Sequence, residues 1–127
     1  MKERPGFGIS ESPAYVARGV AALAAAAGLA DLGRLAVQLA GVTERRRGDL
    51  LEWRYRGRLV ARQLDPGHVV IRSSFELRDF LLHPFPETFS VPSRYRKHMM
   101  VVADLENGNG DAVEDAVIAA WELQSGL

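Results

Sequence analysis

The sequence predicts an α+β domain: a two-layer sandwich with an antiparallel five-stranded sheet and helices on one face. Three observations predict it. Apolar residues recur at helical spacing as far as Gly41, and at spacing two from Leu50 onward. Short turns rich in Gly, Pro and Asn separate the strand-like segments. The element order reads α-α-β-β-β-α-β-β-α. A chain of 127 residues, 47% hydrophobic and 25% charged, makes one domain with a core that needs no disulfide or metal staple.

Residues Met1–Glu11 hold Pro5, Gly6 and Gly8 and show no periodicity, so they read as a loose leader. Ser12-Pro13 starts a helix whose stripe is Val16, Val20, Leu23 and Ala27, with Gly28 as its stop. Asp31 can cap a second helix with Leu32, Leu35, Ala36 and Leu39 buried, stopped by Gly41. One helix kinked at Gly28 fits the same pattern. Arg45-Arg46-Arg47 follows that helix end, where the dipole favours cations.

Trp53 and Tyr55 alternate with Glu52, Arg54 and Arg56, the mark of a half-buried strand. Leu59–Leu64 is the next strand, and Gly57 suits the close of a three-residue hairpin loop. That odd loop puts Trp53, Tyr55, Leu59 and Ala61 on one face. It puts Arg54, Arg58, Val60 and Arg62 on the other, with Arg56 in the turn. Asp65-Pro66-Gly67 turns into a third strand, His68–Ser73. Ser74 caps a helix over Phe75–His83, with Leu77, Phe80 and Leu81 inward and Pro84 ending it. Glu87–Val91 is a short strand, Pro92–His98 a loop and Met99–Leu105 an apolar strand. After the turn at Asn107–Gly110, Asp111-Ala112-Val113-Glu114 opens a last helix lined by Val113, Val117, Ala120 and Trp121.

The charges are sorted along the chain. From Arg45 to Lys97 there are twelve Arg/Lys and six Asp/Glu; from His98 to Leu127 there are six Asp/Glu and no Arg or Lys. The net charge of zero is therefore a basic middle against an acidic end. The composition also excludes chemistry. With no cysteine there is no thiol nucleophile, disulfide or cysteine-type metal site. Ser73, Ser74, His68 and Asp65 sit in no nucleophile elbow, and His68, His83 and His98 lack metal-ligand spacing. No phosphate-binding glycine loop stands before a helix. No enzyme and no cofactor is expected.

The apolar run Gly19–Ala30 is too short to span a bilayer, and Arg18 and Asp31 bracket it. Glu3 and Glu11 within the supposed basic region argue against a secretion signal. The expectation is a cytoplasmic protein without a membrane partner.

The helix before Gly41-Val42, the hairpin Trp53–Ala61, Pro86-Glu87-Thr88-Phe89 and Pro92–His98 occur in a telling order. With the strand after them and the late Trp121, they resemble the MmcQ/YjbR-like family of small proteins described as DNA-binding. The match in order and spacing runs from about Asp31 to Leu123. It divides the chain into residues 1–30, leader and extra helix, and a family-like domain over 31–127. The resemblance implies a two-layer α-β(3)-α-β(2)-α fold shared with secretion chaperones, and DNA binding without catalytic residues. The chain departs from the family at Met99-Met100, where members often carry a tryptophan, and in its acidic end.

Two candidate sites follow. On the hairpin, Arg54, Arg56, Arg58 and Arg62 offer planar forks suited to phosphate. Arg54 and Arg58 facing each other would be relieved by an anion between them; a solvated face with Glu52 nearby is the alternative. In the loop, Ser93, Arg94, Arg96 and Lys97 can contact phosphates, His98 adds charge at low pH, and Tyr95 can stack on a base or anchor the loop. The alternative is a loop docked on Glu114 or Glu122. The expected partner is nucleic acid, DNA first, with low sequence specificity. The alternative function is a protein-interaction adaptor or regulatory domain that pairs head to tail as a homodimer.

Overall fold

The structure, a computed structural model, describes residues 28–126. The expected leader and first helix, up to Ala27, lie outside the described residues. Helix α1 spans Leu29–Gln38. The chain is extended at Gly28, the N-cap of α1. Asp31, expected to be the cap, sits in the first turn, three residues further on. There its charge still favours the positive end of the helix dipole. Leu32 and Ala36 enter the core. Gly41, at φ +80°, turns the chain into the sheet; a Cβ there would lie 2.6 Å from the Tyr55 ring.

Six strands follow: β1 Val42–Arg47, β2 Leu50–Tyr55, β3 Arg58–Asp65, β4 His68–Arg72, β5 Phe89–Ser90 and β6 Met100–Asp104. Helix α2, Phe75–Leu82, lies between β4 and β5, a 3-10 turn at Ser93–Tyr95 precedes β6, and α3, Gly110–Ser125, closes the chain. The strands form one open antiparallel sheet in the order β1-β2-β3-β4-β6-β5. The fold is thus the expected α+β sandwich, with six strands where five were expected. The added strand is β1, which the sequence suggested as a helix end followed by arginines. Only Val42 of β1 is buried, so no alternation marks it. It is an edge strand, where charged side chains are the usual protection against stray pairing.

The helices bury one face. Leu32 and Ala36 of α1, Leu81 of α2, and Val113, Ala116, Val117 and Ala120 of α3 pack with Trp53, Ala61, Val69, Ile71, Val101 and Ala103. Two hydrogen bonds hold α3 down: Trp121 Nε1 donates to the Ala40 carbonyl at 2.8 Å, and Gln124 Nε2 to Leu59 at 2.6 Å. The N-cap of α3 is Asn109, whose side chain accepts from the Ala112 N–H at 3.0 Å. The proposed Asp111 box is therefore not the cap. Ser74 caps α2 as expected, accepting from Leu77 N–H at 3.1 Å. On α2 Leu81 is buried, but Phe80 is 54% exposed and Arg78 is the residue that turns inward. Adjacent helical positions point roughly 100° apart, so Phe80 and Leu81 do not share one narrow stripe.

The hairpin corrects the expected side-chain directions. Its loop has two residues, Arg56 at φ 48° and Gly57 at φ 87°, the left-handed pair of a tight hairpin turn. Tyr55 pairs with Arg58, and Arg54 with Leu59. A bulge then lets Trp53 pair with Ala61, so Val60 falls into the helix-side core. Arg58 shares the pairing of Tyr55 and sends Nη1 to the Gln124 carbonyl at 2.9 Å. Val60 and Arg58 thus leave the face assigned to them, and Leu59 moves opposite Arg54. The bulge does what an odd loop would have done: it keeps Trp53 and Ala61 in the core.

Candidate nucleic-acid interface

The face away from the helices carries the basic residues. Paired positions Arg45–Glu52–Arg62–Val70–Val102 form one row across five strands. Spacing two in each strand adds Arg47, Arg54 and Arg72 to the same face. At roughly 4.8 Å per strand, the arginines from β1 to β4 span about 14 Å.

Glu52 is the fixed point of the β1–β3 half. It is 3% exposed. Arg54 Nε donates to its carboxylate at 2.7 Å, while Arg45 and Arg47 stand at 4.0 and 3.9 Å. The Arg54 hydrogen bond, aided by the three positive charges, holds the Glu52 pKa below its ordinary value against the opposing effect of burial. Arg54 Nη1 also donates to the Gly57 carbonyl at 2.9 Å, which ties the hairpin tip to the strand. Arg56 lies exposed at the tip, its guanidinium 5.4 Å from the Tyr55 ring centre.

The β4–β6 half is covered by the loop. Tyr95 is 7% exposed and packs with Val70 and Val102, with Leu64, Val91 and Met100 around them. Its hydroxyl accepts from Arg62 Nη2 at 3.2 Å, and the Arg94 guanidinium lies 4.9 Å from its ring centre. Of the two roles open to Tyr95, the structure places it as an anchor. Ser93, Arg94, Arg96, Lys97 and His98 are exposed.

Sequence reasoning missed what holds this loop. Arg78 of α2 is 8% exposed. Its Nη1 donates to the carbonyls of His98 at 2.8 Å and of Tyr95 and Met100 at 3.3 Å; its Nη2 donates to Arg96 at 3.1 Å. The Phe75 ring centre is 4.9 Å from its guanidinium. Among the described residues no carboxylate pairs with it. An arginine in an eight-residue helix reads as solvated; only its place between Leu77 and Leu81 hinted otherwise.

The docking of this loop on Glu114 or Glu122 is not seen among the described residues. Every ion pair there that involves the sheet-face arginines goes to Glu52. Helix α3, with Asp111, Glu114, Asp115 and Glu122, lies on the other side of the sheet. At one corner the open face turns acidic: His68 pairs with Asp104 in register, and its Nδ1 lies 2.9 Å from Asp65. The described helices include none long and apolar enough to cross a membrane.

Fold and site together define an α+β domain whose open sheet face is lined with arginine. No family model, no curated protein and no solved structure matches the chain.

Proposed function

We propose that this chain binds nucleic acid, DNA first, by contacting backbone phosphates with the open sheet face and the Ser93–His98 loop. It acts without catalysis or cofactor, with low sequence specificity, and in the cytoplasm. The observation that carries this reading is the separation of charge by layer: Arg45, Arg47, Arg54, Arg62 and Arg72 share the face turned away from acidic α3. Membership of the MmcQ/YjbR-like family is part of the same proposal, supported by the order of helices and strands from α1 onward, with four strands before α2 where the resemblance implies three.

The aromatic side chains of the sheet and of the 93–98 loop support backbone contact over base stacking. Trp53 and Tyr55 pack with the helix-side core, and the Tyr95 ring is buried. Single-strand binders use exposed rings as stacking platforms. A face of arginines with its rings packed away suits the phosphates of a duplex.

Fluorescence anisotropy of a labelled 20-base-pair duplex, and of a single strand of equal length, tests the reading across a salt series. Duplex binding should weaken with a log–log slope of about −0.9 per phosphate contacted. Absence of binding at low salt and micromolar protein would end it. Layers of opposite sign also suit head-to-tail pairing of two copies, the adaptor alternative. Sedimentation that gives a monomer at every salt concentration would remove that version.

A further inference from the structure

We propose that Arg78 is a positioning residue of the phosphate-binding surface: it presets the loop 93–100 so that Arg94, Arg96 and Lys97 meet the ligand already in place. This rests on the nucleic-acid reading above. Ser93-Arg94-Tyr95-Arg96-Lys97-His98 carries three cations within four residues and a single apolar anchor, Tyr95. Mutual repulsion favours an expanded, mobile loop, and ordering it costs backbone entropy at every residue.

Local turns do part of the ordering. Tyr95 N–H bonds Pro92, Arg96 N–H bonds Ser93, and His98 N–H bonds Tyr95. Those bonds, with Met100 N–H to His98, use one lone pair each on the Tyr95 and His98 carbonyls, and the carbonyls of Tyr95, Arg96, His98 and Met100 still converge on one point. Arg78 occupies that point with two nitrogens serving four carbonyls. A guanidinium fits because its nitrogens are coplanar donors in fixed directions; an ammonium is a single point.

Two consequences bear on binding. Carbonyl oxygens of the loop are drawn inward, so they do not face an approaching phosphate. A preset loop also avoids the ordering cost at the moment of association. Arg78 itself is buried beneath the loop, out of reach of a ligand on the surface, so its effect on binding must pass through Arg94, Arg96 and Lys97.

The test uses the full chain and a 20-base-pair duplex. Arg78→Met keeps the stem and removes the fork; Arg78→Lys keeps the charge. Hydrogen exchange should show the 95–100 amides of the Met variant losing at least tenfold protection, with the sheet unchanged. Duplex affinity should fall about as far as in Arg94→Ala/Arg96→Ala, roughly tenfold or more, and its salt slope should shrink. The two sets of changes combined should cost no more than either alone. The Lys variant should recover part of both signals. Should the Met variant fail to fold, the Lys variant carries the same comparison.

Retained loop protection, or losses that add fully with Arg94→Ala/Arg96→Ala, would overturn the positioning role while leaving the nucleic-acid reading intact. No duplex binding by the unmodified chain would overturn that reading and the role with it.

Discussion

On the β1–β3 half of the open face, arginines gather around a carboxylate; on the β4–β6 half, an arginine gathers a loop of cations. The two halves look alike as counts of positive charge, but they are held by opposite means. Glu52 orders Arg45, Arg47 and Arg54 and cancels one charge in doing so. Arg78 orders the loop through neutral carbonyls and cancels none. Per cation, the loop half should therefore attract phosphate more strongly. An anion approaching the Glu52 half must also compete with a carboxylate already in place.

The largest expected effect tests that ranking directly. Replacing Arg94, Arg96 and Lys97 together with alanine should reduce the duplex salt slope by nearly three units and affinity on the order of 100-fold at low salt. Replacing Arg45 and Arg47 should change the slope by less than about one unit and affinity by less than about tenfold. Anisotropy across 50–200 mM salt reads both. Equal or reversed losses would break the comparison.

Glu52→Gln sharpens it from the other side. Truncating one partner of a fully buried pair typically costs about 3–5 kcal/mol, but Arg45 and Arg47 are 61% and 65% exposed and water screens them. A loss of roughly 1–2 kcal/mol in urea unfolding is expected here. Because the Glu52 pKa is lowered on folding, its contribution is fully present above the ordinary carboxylate value of about 4.5. It fades as pH falls through the lower folded value. The Gln variant should therefore lose less stability on acidification than the unmodified chain. It should also bind duplex severalfold more tightly, since the arginines keep their places and lose their internal anion. Weaker binding would mean that Glu52's ordering outweighs its charge.

The sheet was legible because β2, β3, β4 and β6 announce themselves by alternation or by an apolar run between turn residues. β1 was not, since an edge strand with one buried residue has no period to read. The bulge at Val60 was also out of reach. Two loop lengths fit the Arg56-Gly57 sequence, and the choice depends on pairing with a partner strand. Of the site, the residues were legible and their roles were not. Charge clustering marked Arg54, Arg62 and the loop, but no local pattern marks Arg78 as the loop's clasp or Tyr95 as its anchor. Those roles depend on contacts 17 to 33 residues apart in the chain.

Tyr95→Phe probes the seam between the halves, where Arg62 of β3 meets the loop. The change removes one hydroxyl and keeps the ring over Val70 and Val102. Thermal unfolding should register about 1 kcal/mol for the lost Arg62 bond. Duplex affinity should move by less than about threefold, because an anchor acts through packing that phenylalanine preserves. A tenfold loss of affinity with stability unchanged would mean that the hydroxyl touches the ligand, and the assignment of Tyr95 as anchor would fall.

The smallest effect lies at the acidic corner, where the basic surface ends. The Asp65 hydrogen bond raises the His68 pKa, with Asp65, Asp104 and Glu106 adding their charge and burial opposing. The His68 pair then stabilises the fold fully below the unfolded histidine value near ~6.5, and that contribution is lost as pH rises through the higher folded value. The same titration changes the surface. Deprotonated His68 leaves Asp65 and Asp104 without their cation, and the corner repels phosphate more strongly. Duplex binding should weaken slightly as pH rises through that value, and Asp65→Asn should move the midpoint down toward the ordinary one. Titration of the His68 ring by NMR, alongside anisotropy at matched ionic strength, checks both. A midpoint unmoved by Asp65→Asn would show that the corner is not organised by that hydrogen bond. A pH dependence equal in size to the loop substitutions would place the binding surface at the corner and away from the loop.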